Sequence, residues 1–357
     1  MLLIYVGLLP LLMVLVNSVT MRIAKLHSGA VQSKSISVLI PMRNEASNVA
    51  GVIQSVLAQS ELNNYEIVIL NDQSTDATEF ELQKFKSQIL IIEGADLPDG
   101  WLGKNFACNQ LAAVSQGEFL VFIDADVRLH PLAISSVLTT MKTLRWDFIS
   151  AYPRQIAESF LERFIQPLLQ WSWLSSVPLR LAESFRVQSM TIANGQFFIV
   201  SADAYRRIGG HESIKTEILD DLKLARSLIQ AGFDGGVAEG SALAQCRMYE
   251  SSNELTDGYT KSLWRAFGGI TGTVFTLLLL TLTQILPITA ALLGNNYGAI
   301  AYLLVSLSHA IAAARTKSGF ANVFMHPISI LILFYLIARS YYRGYKGTLT
   351  WRGRVLS

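Results

Sequence analysis

Three short acidic motifs in this sequence stand where carboxylates could share one charged ligand. Asp124-Ala125-Asp126 follows the apolar run Phe119–Ile123, Asp72 follows Glu66–Leu70 (EIVIL), and Asp220-Asp221 opens the stretch LDDLKLARSLIQAGF at 219–233. Alternation along an extended segment would set Asp124 and Asp126 on one side. Two carboxylates there repel each other unless a cation or hydrogen-bond donors neutralise them. Mg2+ or Mn2+ held by one or two carboxylates and completed by substrate phosphates is a standard solution. Each motif also has a plain reading. An isolated D-x-D can be an Asp-capped turn, and Asp220-Asp221 can be a helix start where the dipole favours acids. Lys104, in the setting Trp101–Lys104 (WLGK), is a surface lysine or a contact to a diphosphate.

The elements that must position these groups alternate. Ile36–Pro41 (ISVLIP), Glu66–Leu70 and Phe119–Ile123 are short apolar runs with the look of buried strands. Between the first two, Val49, Val52, Ile53, Val56 and Leu57 recur at helical spacing. Polar residues at the carboxyl ends of such strands are how open α/β sheets place ligand-binding groups. Residues 36–250 therefore read as an α/β domain, with no internal repeat or low-complexity segment.

The ends of the chain are of another kind. Of 357 residues, 51% are apolar, concentrated towards the termini, while the formal charge of +2 gives no hint of a nucleic-acid partner. Cys108 and Cys246 fit no metal spacing or disulfide framework, and the five histidines show no ligand pairing. Residues 1–21 carry no charge and are followed by Arg22 and Lys25, which places Met1 outside and Arg22 inside if this stretch is an uncleaved anchor. A signal peptide is the competing reading, disfavoured because no basic residue precedes the apolar run. Residues 251–269 form an expected interfacial amphipathic segment with Lys261, Trp264 and Arg265. Three uncharged stretches follow, at 270–293, 297–314 and 319–338, then a basic tail at 339–357. If all three crossed, the tail would end outside, so one is expected to be re-entrant; His326-Pro327 marks the candidate. The aromatic stripe Phe160, Phe164, Trp171 and Trp173 is either packing or an access groove for an apolar acceptor.

Residues 38–48 (VLIPMRNEASN), 66–78 (EIVILNDQSTDAT), 118–126 and 219–233 follow one another as in family-2 glycosyltransferases, which this chain resembles over about two-thirds of its length. The resemblance implies an A-type nucleotide-diphospho-sugar transferase domain, α/β with a mostly parallel sheet flanked by helices, here with N- and C-terminal transmembrane helices. It implies that Asp72 with Pro41, Arg43, Asn44 and Glu45 holds the base and ribose, that Asp124 and Asp126 hold ribose and an Mg2+ or Mn2+ ion bridging the diphosphate, and that Lys104 contacts the diphosphate. Asp221, supported by Asp220, is the implied catalytic base of an inverting reaction, with Asn194, Gly195 and Gln196 in the acceptor region. Asn71 and Gln73 depart from the family's usual Asp and Gly.

Further motifs (LPDGWLGKNFA at 97–107, NGQFFIVSADAYRRIGGH at 194–211, RMYESSNELTDGYTKSLWRAFGG at 247–269, and Trp351-Arg352-Gly353-Arg354) are similar to membrane glycosyltransferases of carotenoid and hopanoid pathways. Tyr259 and Arg352 stand where that subgroup has Trp and Lys. Gln245–Tyr249 only partly resembles the Q-x-x-R-W of processive relatives; Arg247 is the implied donor contact or an interface marker. The expectation is a multi-pass cell-membrane (inner-membrane) enzyme with a cytoplasmic catalytic domain. Its partners would be a nucleotide-sugar donor, UDP-glucose by resemblance, a membrane lipid or isoprenoid acceptor, and the bilayer. A polyprenyl-phosphate glycosyltransferase, a polysaccharide synthase and a non-catalytic scaffold are the competing functions.

Overall fold

The computed structural model describes residues 1–29 and 35–349, and the backbone of 350–351 and 354–355. Chain order begins with α1 (Leu2–Thr20), β1 (Ile36–Met42), α2 (Ala46–Leu57), β2 (Tyr65–Asn71), α3 (Thr78–Gln83), β3 (Leu90–Glu93) and α4 (Gly103–Val114). It continues with β4 (Phe119–Ile123), β5 (Val127–Leu129), α5 (Ala133–Leu144), β6 (Phe148–Tyr152), β7 (Arg154–Gln155), α6 (Phe160–Ser176) and α7 (Leu179–Ser184). Next come β8 (Phe197–Ser201), α8 (Ala202–Arg207), α9 (Asp220–Gln230), β9 (Gly235–Glu239), β10 (Ala244–Cys246) and α10 (Ser252–Ala266). The last helices are α11 (Ile270–Leu280), α12 (Leu286–Leu292), α13 (Asn296–Thr316) and α14 (His326–Tyr345). These elements form two compact units: Arg22–Arg154 with Leu181–Cys246, and Met1–Met21 with Gln155–Arg180 and Arg247–Ser357.

The first unit is built on a seven-stranded sheet of order β3-β2-β1-β4-β8-β6-β9. β1 pairs in parallel with β2 and β4, β2 with β3, and β6 with β9; β8 alone runs antiparallel to its neighbours β4 and β6. Side chains alternate across a strand, so the register Leu39↔Val68 and Leu39↔Phe122 puts these three on one face. That face is covered by Ala107 and Leu111 of α4 and by Leu224, Ala225 and Leu228 of α9. Because β2 and β3 lie on one side of β1 and β4 on the other, the chain reverses its direction of travel at β1/β4. The crevice at the carboxyl ends of strands beside such a reversal is where open α/β sheets bind ligands.

The second unit is helical. Its helices Leu2–Thr20, Ile270–Leu292 and Asn296–Thr316 are long and apolar enough to cross a membrane. α1 lies against α13 with Gly7 at the contact, where an added Cβ would come within 2.8 Å of the Ala301 carbonyl oxygen. Asn17 of α1 donates to the carbonyls of Leu174 and Val177 at the end of α6, 2.7 Å each. α10 lies along α14, the Trp264 amide donating to Ser340 Oγ at 2.9 Å, while Arg339 and Arg343 reach Asp257. Of the three C-terminal apolar stretches, 270–293 and 297–314 fall on crossing-length helices. In 319–338 the helix starts only at His326 and runs on past Arg339. Its first residue, with Pro327 at the following position where a missing N–H costs nothing, is a helix start rather than an interruption. The side chains of Trp351, Arg352 and Arg354 lie outside the described residues.

Candidate active site

Two loops at the ends of β1 and β2 are laced together. Arg43 donates to the carbonyls of Asp72 (2.6 Å) and Gln73 (3.2 Å), the Asn44 amide to Ser74 Oγ (3.0 Å), and the Glu45 amide to Thr78 Oγ1 (2.8 Å). Asn44 and Gln73 sit at φ of +54° and +52°, the left-handed region that favours glycine. That explains why the resembled family uses Gly at the position of Gln73. Asp72 is buried against this lacing, its amide donating to the Met42 carbonyl at 2.7 Å. Pro41, Arg43, Asn44, Glu45 and Asp72 are thus brought to one rim.

Asp124-Ala125-Asp126 is not extended, as alternation suggested, but a turn between β4 and β5, closed by the Val127 amide donating to the Asp124 carbonyl at 3.1 Å. The turn is held by Arg128, whose guanidinium donates to the carbonyls of Ala125 (2.8 Å) and Val127 (2.9 Å) and to Asn48 Oδ1 (2.8 Å). The two carboxylates have different surroundings. Asp124 accepts an ion pair from Lys104 at 2.7 Å. Asp126 stands beside the buried Cys246 thiol, and its Oδ1 is buried without a hydrogen-bond partner. Desolvation, then the charges of Asp124 and Glu45, pushes the Asp126 carboxyl up to about 7.

Lys104 enters from the first turn of α4 and lies 3.8 Å from Asp220 as well. Desolvation favours its neutral amine, but Asp124 and Asp220 outweigh that and hold it above its ordinary value. Asp221, in the first turn of α9, accepts from the Leu222 amide (2.7 Å) and from the Gly195 amide (2.8 Å). It is therefore both a helix-start acid and a site acid. Desolvation and neighbouring Asp220 raise its carboxyl to about 6, against the pull of Lys104 and the two amides. Pro41, Lys104, Asp124, Gly195, Asp220 and Asp221 line one recess, together with Cys108 and His211. Gly195 leaves room for the acid: a Cβ here would stand 3.2 Å from Asp221 Cβ, a tight contact that Asp221 would have to shift to relieve, and 3.5 Å from Lys104 Nζ.

Asn194 and Gln196 flank that glycine and face inward. Asn194 is fixed by Ser150 (2.7 Å) and accepts from the Gln196 amide (2.9 Å), while Gln196 Nε2 donates to Cys246 Sγ at 3.0 Å. Arg247, the next residue along the chain, belongs to the helical unit and pairs with Glu158 at 2.9 Å. Sequence reading missed Arg128, Cys246 and His211. Arg128 carried a signal, a base two residues after D-x-D. Cys246 reaches Asp126 only through the pairing of β10 with β5, in which Cys246 opposes Val127. His211, kept neutral by burial with its pKa drawn down to about 4, meets Tyr205 Oη at 2.8 Å and stands edge-on to Phe122.

Among the described residues no three His, Cys, Asp or Glu side chains converge to hold a metal unaided. The buried, unpartnered Asp126 oxygen and the raised pKa of its carboxyl are nevertheless what a cation would relieve, if phosphate oxygens supplied the remaining ligands. The residues present fit an Mg2+ or Mn2+ ion brought with a diphosphate.

Residues 37–209 match Glycosyl transferase family 2. The chain is 24% identical over 338 residues to the 4,4'-diaponeurosporenoate glycosyltransferase of Staphylococcus aureus strain MRSA252, covering 91% of this chain and 88% of that one. Its fold is similar to that of the mannosyltransferase PcManGT from Pyrobaculum calidifontis, solved with GDP-Man and Mn2+, at a TM-score of 0.56 and 14% identity, over 96% of this chain and 99% of that one. The match begins at β1 and covers the strand ends that carry Asp72 and the Asp124–Asp126 turn and the start of α4 that carries Lys104, on a mostly parallel sheet flanked by helices with apolar helices towards both termini. Residues 37–209 form a domain that matches Glycosyl transferase family 2, and the chain is a glycosyltransferase.

Proposed function

We propose that this glycosyltransferase moves a hexose from a nucleotide-diphospho-sugar, UDP-glucose in the first instance, to a membrane lipid acceptor such as a carotenoid or other isoprenoid, by metal-dependent inverting displacement. The observation that carries the reading is the recess where Lys104, Asp124, Asp220 and Asp221 meet beside the Asp126 turn. The S. aureus relative, named for a carotenoid acid, supports the acceptor class, and the GDP-Man and Mn2+ of the mannosyltransferase of similar fold support the donor class and the metal.

In this reading the rim formed by Pro41, Arg43, Asn44, Glu45 and Asp72 holds the nucleoside. Asp124 and Asp126 would hold the divalent ion, which when bound offsets charge on the diphosphate. Lys104 adds a second positive group where the leaving diphosphate gains charge, and stabilisation at that point lowers the barrier. Asp221, oriented by the Gly195 and Leu222 amides, takes the proton of an acceptor hydroxyl as it attacks the anomeric carbon, or positions an acceptor that is already a carboxylate. Asn194, Gly195 and Gln196 form the acceptor side.

The three helices of crossing length give an orientation consistent with the positive-inside rule. With Met1 outside, three crossings leave Arg22, Lys25, Arg315, Lys317 and the basic tail on the cytoplasmic side of the cell membrane with the catalytic unit. α14, whose first residue His326 stacks on His309 and Tyr302 within α13, then starts inside the bilayer and returns to the cytoplasmic side without crossing, a re-entrant element.

Asp126→Asn and Asp221→Asn should each lower transfer from radiolabelled UDP-glucose to extracted isoprenoid lipid by about 100-fold or more, with an unchanged circular dichroism spectrum. Turnover near that of the wild type in both purified variants overturns the assignment. Mass spectrometry of lipid extracts from cells expressing the intact chain or the Asp126→Asn control gives acceptor class and sugar mass together.

A further inference from the structure

The helical unit buries a layer of uncharged polar side chains that the transferase site does not use. Four rings from three helices form a continuous stack. Trp171 of α6 lies 4.3 Å from His309 of α13 at an interplanar angle of 10°, and His309 lies 4.9 Å from His326 of α14 at 9°. His326 in turn lies 5.3 Å from Tyr302 at 29°. Two edges of the stack are satisfied: Trp171 Nε1 donates to Ser308 Oγ at 2.9 Å, and His309 Nε2 meets Gln284 Oε1 at 3.2 Å.

The rest of the layer has no partner among the described residues. Both ring nitrogens of His326, both amide atoms of Asn322, Gln284 Nε2, Ser306 Oγ and Ser329 Oγ are buried and unbonded. Asn322, His326, Ser329 and Gln284 are 0% exposed. Ser306 falls between Tyr302 and His309 on one face of α13, and Ser329 is one turn on from His326, so both serines flank the stack, while Asn322 precedes His326 by four residues in the turn that leads into α14. Gln284 is delivered by a π-helical turn, Thr281–Ile285, between α11 and α12. Such turns inside α-helices are frequent at functional sites. Polar groups that only fasten membrane helices together pair with one another; these do not.

We propose that this layer is a binding site for the uncharged, hydroxyl-bearing end of a lipid. Donors and acceptors are offered together, as an alcohol requires, by Asn322, His326 and the serines. The layer contains no Asp, Glu, Lys or Arg, so a carboxylate, phosphate or ammonium would enter an apolar bundle without a counter-charge. Two of the helices that carry it, Ile270–Leu292 and Asn296–Thr316, are long and apolar enough to face a bilayer, which is where such a lipid would come from. This goes beyond the proposed function: a hydroxyl enclosed in this layer is not the group on which Asp221 acts, so the site does not depend on what the sugar acceptor is.

The test is binding, measured without donor so that failure of glycosyl transfer is a separate result. The full-length protein in nanodiscs is titrated with a long-chain isoprenoid alcohol and with the carboxylic acid and monophosphate of the same chain. A diazirine-bearing alcohol is photo-crosslinked to the wild type and mapped by mass spectrometry. The alcohol should bind at least tenfold more tightly than either anion and crosslink to peptides containing Tyr302, His309 or His326. Asn322→Leu and His326→Phe, which keep volume and stacking, should each weaken alcohol binding at least tenfold while nucleotide binding is unchanged. Ser329→Ala, a milder change, should weaken it severalfold. Crosslinks elsewhere, tighter binding of the acid or phosphate, or variants that bind alcohol as the wild type does overturn the proposal and leave the layer filled by ordered water only.

Discussion

Asp221 accepts two backbone amides at the start of α9 and still faces Lys104's pocket, so its proton affinity decides what it can do there. A base must be free of its proton. With the carboxyl raised to about 6, the rate at saturating donor should fall about tenfold per pH unit below about pH 6 and level off above it. Initial rates across that range check this; an acid limb centred near the ordinary carboxylate value contradicts the desolvated setting. The sign for stability is opposite. A carboxyl whose folded pKa is raised contributes stability that is full at low pH and lost as pH rises through about 6, so the charged form that catalysis needs is the one the fold holds less well. Gly195 gives a second residue-scale expectation. Gly195→Ala places a methyl 3.2 Å from Asp221 Cβ and should lower kcat by about tenfold or more, with little change in Tm, because the methyl displaces the acid rather than the core. Unchanged kcat would show that the recess tolerates the shift. The chemistry of Asp124, Asp126, Asp220 and Asp221 was legible as residue types; the Lys104–Asp124 pairing and the Cys246 thiol at Asp126 were not, because they join segments far apart in the chain.

At the scale of elements, β1, β2 and β4 were readable because a buried strand must be a short apolar run, and their polar carboxyl ends were readable as ligand positions. The D-A-D segment was misread as extended for a reason of the same kind: alternation describes a strand, and the strand had already ended at Ile123. Among the helices, the contact of α1 with α13 depends on Gly7. Gly7→Leu drives a side chain into the backbone at Ala301, and overpacking of this sort costs about 1–3 kcal/mol. The expected result is a Tm a few degrees lower for the helical unit, with UDP binding by the nucleotide-fold unit unaffected. Thermal unfolding in detergent, followed by tryptophan fluorescence and by UDP protection separately, reads both. An unchanged Tm would mean that the two helices separate without cost.

For the whole molecule, the orientation of α1 sets the side on which the sugar is transferred. In the proposed orientation with three crossings, Asn295 between α12 and α13 would be outside and Thr348 beyond α14 inside. Asn295→Cys should react with an impermeant maleimide in intact cells, and Thr348→Cys only after permeabilisation; Cys108 and Cys246 are buried and give little background. The reverse pattern would place the catalytic unit outside, where no nucleotide-sugar is supplied. The sequence by itself determined the α/β unit, the apolar helices at both ends and the acids at the strand tips, since these follow from periodicity and hydropathy within short windows. Only the tertiary structure decided that α14 begins at His326 rather than running through 319–338, that Lys104 neutralises Asp124, and that Trp171, His309, His326 and Tyr302 stack. Strand register and helix packing set those contacts, and neither is a property of any local stretch of chain.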